Sequence, residues 1–287
     1  MDEENVEPIF RAPPLTCDAH FHVFGPEAQY PYGDPKLRYK PPLALLEKYL
    51  VKAKKIGIER FVVVQPSAYG KDNSCMVDAM QVLGKKSRGI VDLDENAPDA
   101  EFARLDAIGV RGIRVNVSPV APFDAGLPAR MMPRIDRLAE RCKEIGWQLD
   151  FLGPGWLTDA LMDRMSKLEI DYTLAHIGMF LAKDGVGQPG FQRLLNLLKN
   201  GNGHCWIKLT APYRMSQAPG YTDVPPMLNA LIEAAPDRLI WGSDDPHASF
   251  ADKAGSIELY NLLCTSIPDE AVRKKILVDN PARLYGF

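Results

Sequence analysis

Short runs of β-branched and aromatic residues alternate along this chain with longer stretches whose apolar positions recur every three to four residues. The short runs fall at 18–23 (DAHFHV), 60–65 (RFVVVQ), 88–93 (RGIVDL), 111–117 (RGIRVNV), 147–152 (WQLDFL), 171–176 (DYTLAH), 204–210 (HCWIKLT) and 238–244 (RLIWGSD). Each has the length and composition of a buried strand. Between them the pattern is helical: in LALLEKYLVKAKKIG, Leu45, Tyr49, Ala53 and Ile56 share one face. Three such stretches close on Ile-Gly immediately before a strand, at Gly57, Gly109 and Gly146, where glycine supplies a left-handed helix stop. Helix starts carry Pro, Asp or Ser, as in NAPDAEF, PARMMP and SIPDEA. Eight strand–helix units in series predict an α/β fold of the (β/α)8 barrel type. A doubly wound open sheet is the alternative, but no GxGxxG follows an early strand.

The pattern breaks at residues 24–42, FGPEAQYPYGDPKLRYKPP, an unusually long connection after the first strand. Its three tyrosines predict an ordered wall above whatever site the barrel carries. Strand alternation places Asp18, His20 and His22 on one face, with Ala19, Phe21 and Val23 on the other. The apolar set is expected against the helices, which turns the polar set into the barrel. In such barrels the chemistry sits at the C-terminal ends of the strands.

An HxH pair alone can also be a hydrogen-bonded core pair, the lesser of the two readings. Other strand ends shift that balance, because the sixth ends on His176 and the eighth on Asp244, while the fourth puts Arg114 and Asn116 on a common face. Asp244 is preferred over Asp245 because it directly follows the apolar run, whereas Asp245 precedes Pro246. His247 is expected at the mouth, as a partner of a site residue or a substrate contact. His204 opens the seventh strand at the opposite end and reads as structural. Lys208, mid-strand between Trp206 and Thr210, needs a buried partner such as Asp150 or Asp92. Arg114 and Arg214 across the mouth suit a carboxylate, whose planar geometry a guanidinium matches bidentately.

Composition adds exclusions. The chain has 287 residues, suited to one such barrel, with residues 1–12 as a flexible N-terminal arm. A net charge of −3 supplies no basic field for nucleic acid or an anionic membrane. No run approaches the roughly 18 apolar residues that span a bilayer. The five cysteines are dispersed without CxxC, which predicts free thiols and a cytoplasmic protein.

Several stretches taken in order, DAHFHVFGPEAQYPY, VVVQPSAYGKDN, RGIRVN, LAHIG, WIKLTAPYR, IWGSDDPH and the closing NPARLYGF, resemble the amidohydrolase superfamily. The branch they are most similar to is that of 2-pyrone-4,6-dicarboxylate lactonase. The resemblance implies a metal-independent hydrolase of aromatic-ring-cleavage metabolism, opening a small anionic lactone with no cofactor required. It implies that Asp244 takes a proton from the attacking water while His20, His22 and His176 polarise the carbonyl. It further implies substrate contacts from Arg114, Arg214, Tyr39 and Ser67, beside the candidates Asn116 and His247.

The chain departs from that branch at two substrate contacts. VSPVAPFDAG stands where a second basic residue is expected after strand 4, and Leu152 or Gly153 where a tyrosine is expected on strand 5. The reaction type therefore carries over better than the substrate, and a substituted muconolactone fits as well as a pyrone dicarboxylate. HxH, a third His and an Asp are also zinc-ligand types. The strand-4 bridge and strand-5 His of a binuclear centre are missing, so one zinc on His20, His22, His176 and Asp244 is the remaining metal alternative. The competing functions are a sugar-acid lactonase or lactone isomerase, a zinc-dependent decarboxylase of the same superfamily, and a barrel that only binds a small anion.

Overall fold

The eight apolar runs form eight parallel strands: β1 (Cys17–Phe21), β2 (Arg60–Val64), β3 (Ser87–Val91), β4 (Val110–Asn116), β5 (Gln148–Leu152), β6 (Tyr172–Leu174), β7 (Cys205–Leu209) and β8 (Leu239–Trp241). They lie side by side in sequence order, each paired with the next. This is the (β/α)8 barrel predicted from the pattern, seen here in a computed structural model that describes residues 5–33 and 37–287.

The helices that cover the strands are α1 (Leu46–Ile56), α2 (Ser74–Leu83), α3 (Asp99–Ala107), α4 (Leu127–Ile145), α5 (Gly155–Met165), α6 (Pro189–Asn200), α8 (Pro225–Ala234) and α9 (Ser256–Ser266). A short α7 (Pro212–Met215) follows β7, and α10 (Glu270–Lys274) and α11 (Asn280–Tyr285) close the chain. Gly57 (φ 96°) and Gly146 (φ 72°) end α1 and α4 in the left-handed region, as the Ile-Gly pattern implied.

Alternation along the strands separates two cores. Phe61, Val63, Ile207, Leu209, Leu239 and Trp241 pack outward with the helices. Cys17, Ala19, Val62, Val64, Ile90, Trp206, Ile240 and Tyr285 fill the barrel interior. One expectation fails here. The β1–β2 register shifts between Asp18 and Phe21, so the simple odd–even rule breaks inside β1. Ala19 joins the interior cluster, and Asp18 turns toward α1, where its Oδ2 accepts a 2.8 Å hydrogen bond from the Tyr49 hydroxyl. His20 and His22 keep the inward direction; Asp18 does not share it.

Asp18 nevertheless helps close the ring. Its Oδ1 accepts from the Ser243 and His20 amides, each at 3.0 Å. Beyond β8 the main chain bonds back to β1, from Asp244 N to His20 O and from His22 N to Asp245 O, both at 2.8 Å. The approach is close enough that a Cβ on Gly242 would lie 2.6 Å from the His20 backbone nitrogen, which requires glycine there.

Burial pushes the Asp18 carboxyl up to about 6, against the hydrogen bonds from Ser243, His20 and Tyr49 that favour its ionised form. The unfolded chain holds this group near 4, so between those values the folded state binds more protons. Its contribution is therefore present at low pH and lost as pH rises through about 6. Relative to Asp18→Asn, whose amide preserves the shape, the wild type is expected to lose about 2 kcal/mol of unfolding free energy between about pH 4 and about pH 7. Urea titrations of both proteins at the two pH values check this; parallel changes refute it.

The connection after β1 is ordered where it is described. Phe24 bridges to Ala44, and Tyr32 and Phe24 pack on Tyr69, making the aromatic wall anticipated from its tyrosines. Of the expected arm at 1–12, residues 1–4 lie outside the described residues. Within the rest, Ile9 N donates to Asn261 Oδ1 at 2.9 Å and Glu7 pairs with Lys55. All five cysteines are free and buried. Among the described residues no helix is long and apolar enough to cross a membrane.

Candidate active site

At the C-terminal end of the barrel a cavity of about 260 Å³ opens above the strand ends, at the small end of ligand-pocket sizes. Nine of the ten residues expected to act on or hold the substrate border it: His22, Tyr39, Ser67, Arg114, Asn116, His176, Arg214, Asp244 and His247. His20 lies fully buried beneath them.

The convergence point is Asp244. Its Oδ1 is 3.4 Å from His20 Nε2 and 3.3 Å from His22 Nε2; its Oδ2 is 4.0 Å from His176 Nε2 and 3.8 Å from Arg214 Nε. Tyr213, on α7, donates its hydroxyl proton to Oδ2. Burial alone would raise this carboxyl, but His176, His22, His20 and Arg214 together hold it well below the usual carboxylate range. The choice between neighbouring acids is resolved by their partners. Asp245 points away from the cavity, paired with Lys52 of α1 and accepting from Ser256 Oγ at 2.6 Å.

Each imidazole is oriented from behind. His22 Nδ1 donates to the Val64 carbonyl at 2.7 Å, which leaves Nε2 facing Asp244. His176 Nδ1 lies 2.7 Å from Thr210 Oγ1, which also accepts from the His176 amide at 3.1 Å. Burial drives the His176 pKa down to about 3 and that of His20 well below its ordinary value, so both rings are neutral at neutral pH. The backbone around them is strained. His176 (φ 54°), Ala211 (φ 48°), Asp244 (φ 57°) and His247 (φ 66°) all occupy the left-handed region without being glycine. Such positions cluster where surrounding structure overrides local preference, usually at functional sites.

Lys208 finds one of its two expected partners. It pairs with Asp150, both fully buried, and Nζ also lies 3.2 Å from His20 Nδ1. Asp92 is elsewhere, 3.5 Å from Arg134. Asp150 accepts from Thr173 Oγ1 at 2.8 Å and sits 4.0 Å from Arg114 Nε. Burial raises its carboxyl, but Lys208 and Arg114 outweigh that and keep it ionised. Removing one member alone would strand a buried charge at a cost of about 3–5 kcal/mol.

The cavity walls differ in character. Arg38, Arg114 and Arg214 lie on its border, with Arg214 stacked 4.8 Å over the Phe250 ring. The Tyr39 hydroxyl is hydrogen-bonded to Ser67. The connection after β4 and the end of β5 contribute Pro119, Val120 and Leu152, apolar groups at the two places where a basic residue and a tyrosine were expected. His247 packs edge-on against Tyr213 at 5.7 Å. His204 is at the far end of the barrel, 3.0 Å from Asp171.

Sequence reasoning missed Tyr213, Arg38 and the contact of Lys208 with His20. Thr210 carried a signal, since it alternates with Lys208 and therefore faces inward. Tyr213 carried none, because α7 interrupts any strand period.

Known proteins resemble this chain over nearly its whole length. The family model described as amidohydrolase matches residues 17–287. The chain belongs to the amidohydrolase family. It is 37% identical over 281 residues to a 4-sulfomuconolactone hydrolase of Rhizobium radiobacter, covering 96% of this chain and 92% of the relative. A 4-sulfomuconolactone hydrolase of Hydrogenophaga intermedia is 35% identical over 292 residues, covering 99% and 93%. Among solved structures, one from Pseudomonas putida, described as a candidate 2-pyrone-4,6-dicarboxylic acid hydrolase, superposes with a TM-score of 0.82 at 30% identity, covering 95% of this chain and 98% of that one. Amidohydrolases often use metal, and here His20, His176 and Asp244 offer ligand atoms within 4.8 Å of one another, a spacing that could hold an ion. His22 stands outside that group.

Proposed function

We propose that this amidohydrolase opens a small anionic lactone by attack of water. The observation that carries the reading is the single ionised carboxylate of Asp244, held among three imidazoles on the floor of a cavity rimmed by arginines. Water attacks the lactone carbonyl carbon and gives its proton to Asp244. The carbonyl oxygen becomes an oxyanion stabilised by imidazole N–H donors. The ring C–O bond then breaks, and the departing oxygen takes the proton back from Asp244. A carboxyl held so low is a weak base, so it keeps the proton only within the turnover. The product carries one more carboxylate than the substrate.

Arg114 and Arg214 are read as the groups that hold substrate anions, with Tyr39, Ser67, Asn116 and His247 lining the remaining polar edge. Pro119, Val120 and Leu152 offer no anion contact at the positions where a basic residue and a tyrosine were expected. A substituted muconolactone, with anionic groups placed differently from those of a pyrone dicarboxylate, fits this lining better. The names of the relatives at 35% and 37% identity point the same way.

A zinc ion is the second reading, supported by the spacing of His20, His176 and Asp244; bound there, it would supply a metal-activated water. The donor set fits it poorly. A ligating histidine gives its other ring N–H to an acceptor, whereas His20 Nδ1 meets the ammonium of Lys208, which can only donate. Protein assayed for metal and offered a panel of lactones is expected to release one proton per turnover from a muconolactone-type substrate and to keep its rate after chelation. Loss of activity on chelation, restored by one zinc per chain, would replace the metal-free reading. Tight anion binding with no turnover across the panel would replace the enzyme reading.

A further inference from the structure

Resting on the lactone-hydrolase reading, we infer that Lys208 is a positioning residue that fixes His20 as the Nε2–H tautomer and so turns it into a donor aimed at the reacting carbonyl oxygen. An ammonium has three donors and no lone pair. Placed 3.2 Å from His20 Nδ1, it forces that nitrogen to accept, and the single imidazole proton must then sit on Nε2.

The free end of the ring agrees. His20 Nε2 is buried and makes no hydrogen bond of adequate geometry among the described residues, although it lies 3.4 Å from Asp244 Oδ1. A buried N–H without a partner is costly unless something arrives to accept it. The arriving group lies in the space bounded by Asp244, His22 and His176, where the carbonyl oxygen of a bound lactone would gather charge.

The rest of the arrangement keeps Lys208 in that role. Burial, with Arg114 nearby, draws its pKa below the ordinary lysine value, and the paired Asp150 carboxylate opposes this and favours the ammonium. Asp150 is in turn held by Thr173 from β6 and lies near Arg114 from β4. Four neighbouring strands thus supply a buried polar layer that meets the His20 ring through Lys208. A structural ion pair would need only Asp150; the second contact, to an imidazole nitrogen, is what assigns the lysine to the site.

The test reads the tautomer directly. The chain has five histidines, so protein labelled with 15N in histidine alone gives a simple two-bond 1H–15N spectrum, with His20 assigned by the missing signals of His20→Gln. In the wild type His20 is expected to show a protonated Nε2 and a bare Nδ1. The double variant K208M/D150N removes both charges together, so neither is stranded. It is expected to release His20 into a mixture of tautomers and to lower kcat about 10²-fold, with KM for the lactone changing far less. A wild-type His20 protonated on Nδ1 overturns the proposal, and so does a double variant with wild-type kcat. If the double variant fails to fold, the wild-type spectrum alone decides. A wild type that shows the expected tautomer but turns over no lactone would mean that the lactonase reading had failed, with the hold of Lys208 on His20 intact.

Discussion

Replacing Asp244 by Asn is expected to lower kcat for lactone hydrolysis by about 10³-fold, within the range found for losing a general base, while the protein stays folded. The amide has the same shape and can still accept from Tyr213, but it cannot take a proton from water. It also cancels the negative charge that His20, His22, His176 and Arg214 surround. The His20 and His176 rings are neutral and the Arg214 guanidinium is partly exposed, so the unfolding midpoint should move little. Steady-state kinetics beside a thermal melt check both halves. A variant with wild-type kcat removes Asp244 from the chemistry; one that melts far lower shows that the carboxylate is chiefly structural.

The second large effect is expected in binding. Arg214 stacks on Phe250 and faces the cavity at the end of β7, so its guanidinium plane is held in one orientation. Lysine keeps the charge but neither the plane nor the paired donors. Arg214→Lys is therefore expected to raise KM for an anionic lactone about 10- to 100-fold, the loss of one charge-assisted hydrogen-bond pair. Its kcat should stay within about threefold, because the lost contact is made equally before and during reaction. A neutral lactone analogue should show no such penalty. An equal rise in KM for charged and neutral lactones would place Arg214 outside substrate binding.

Much of the barrel was legible because its strands are buried on both faces and read as short runs rich in β-branched and aromatic residues. Polar residues at their C-terminal ends were therefore conspicuous, and His22, His176, Arg114 and Asp244 do border the cavity. What could not be read depended on local departures from regularity. The bulge in β1 moved Asp18 from the expected inward face to α1, and period-two reasoning has no means of anticipating an inserted residue. The left-handed turn at Ala211 begins the short helix that delivers Tyr213 to Asp244, and nothing in APYRMS announces it. The bond from Lys208 to His20 joins residues 188 positions apart, on β7 and β1. Alternation put both inside the barrel but could not say that they touch.

The first and last strands meet without a ladder of their own among the described residues. Their junction is instead made by the amides of His22, Ser243 and Asp244, reaching across to Asp245, Asp18 and His20. The bonds that complete the ring are thus made by the same few residues that bring the imidazoles to the carboxylate. A chain with seven strands in place and this junction open would hold most of its core and none of its chemistry. Closing the barrel and assembling the acid among its histidines are one event, so folding itself serves as the last step in building the catalyst.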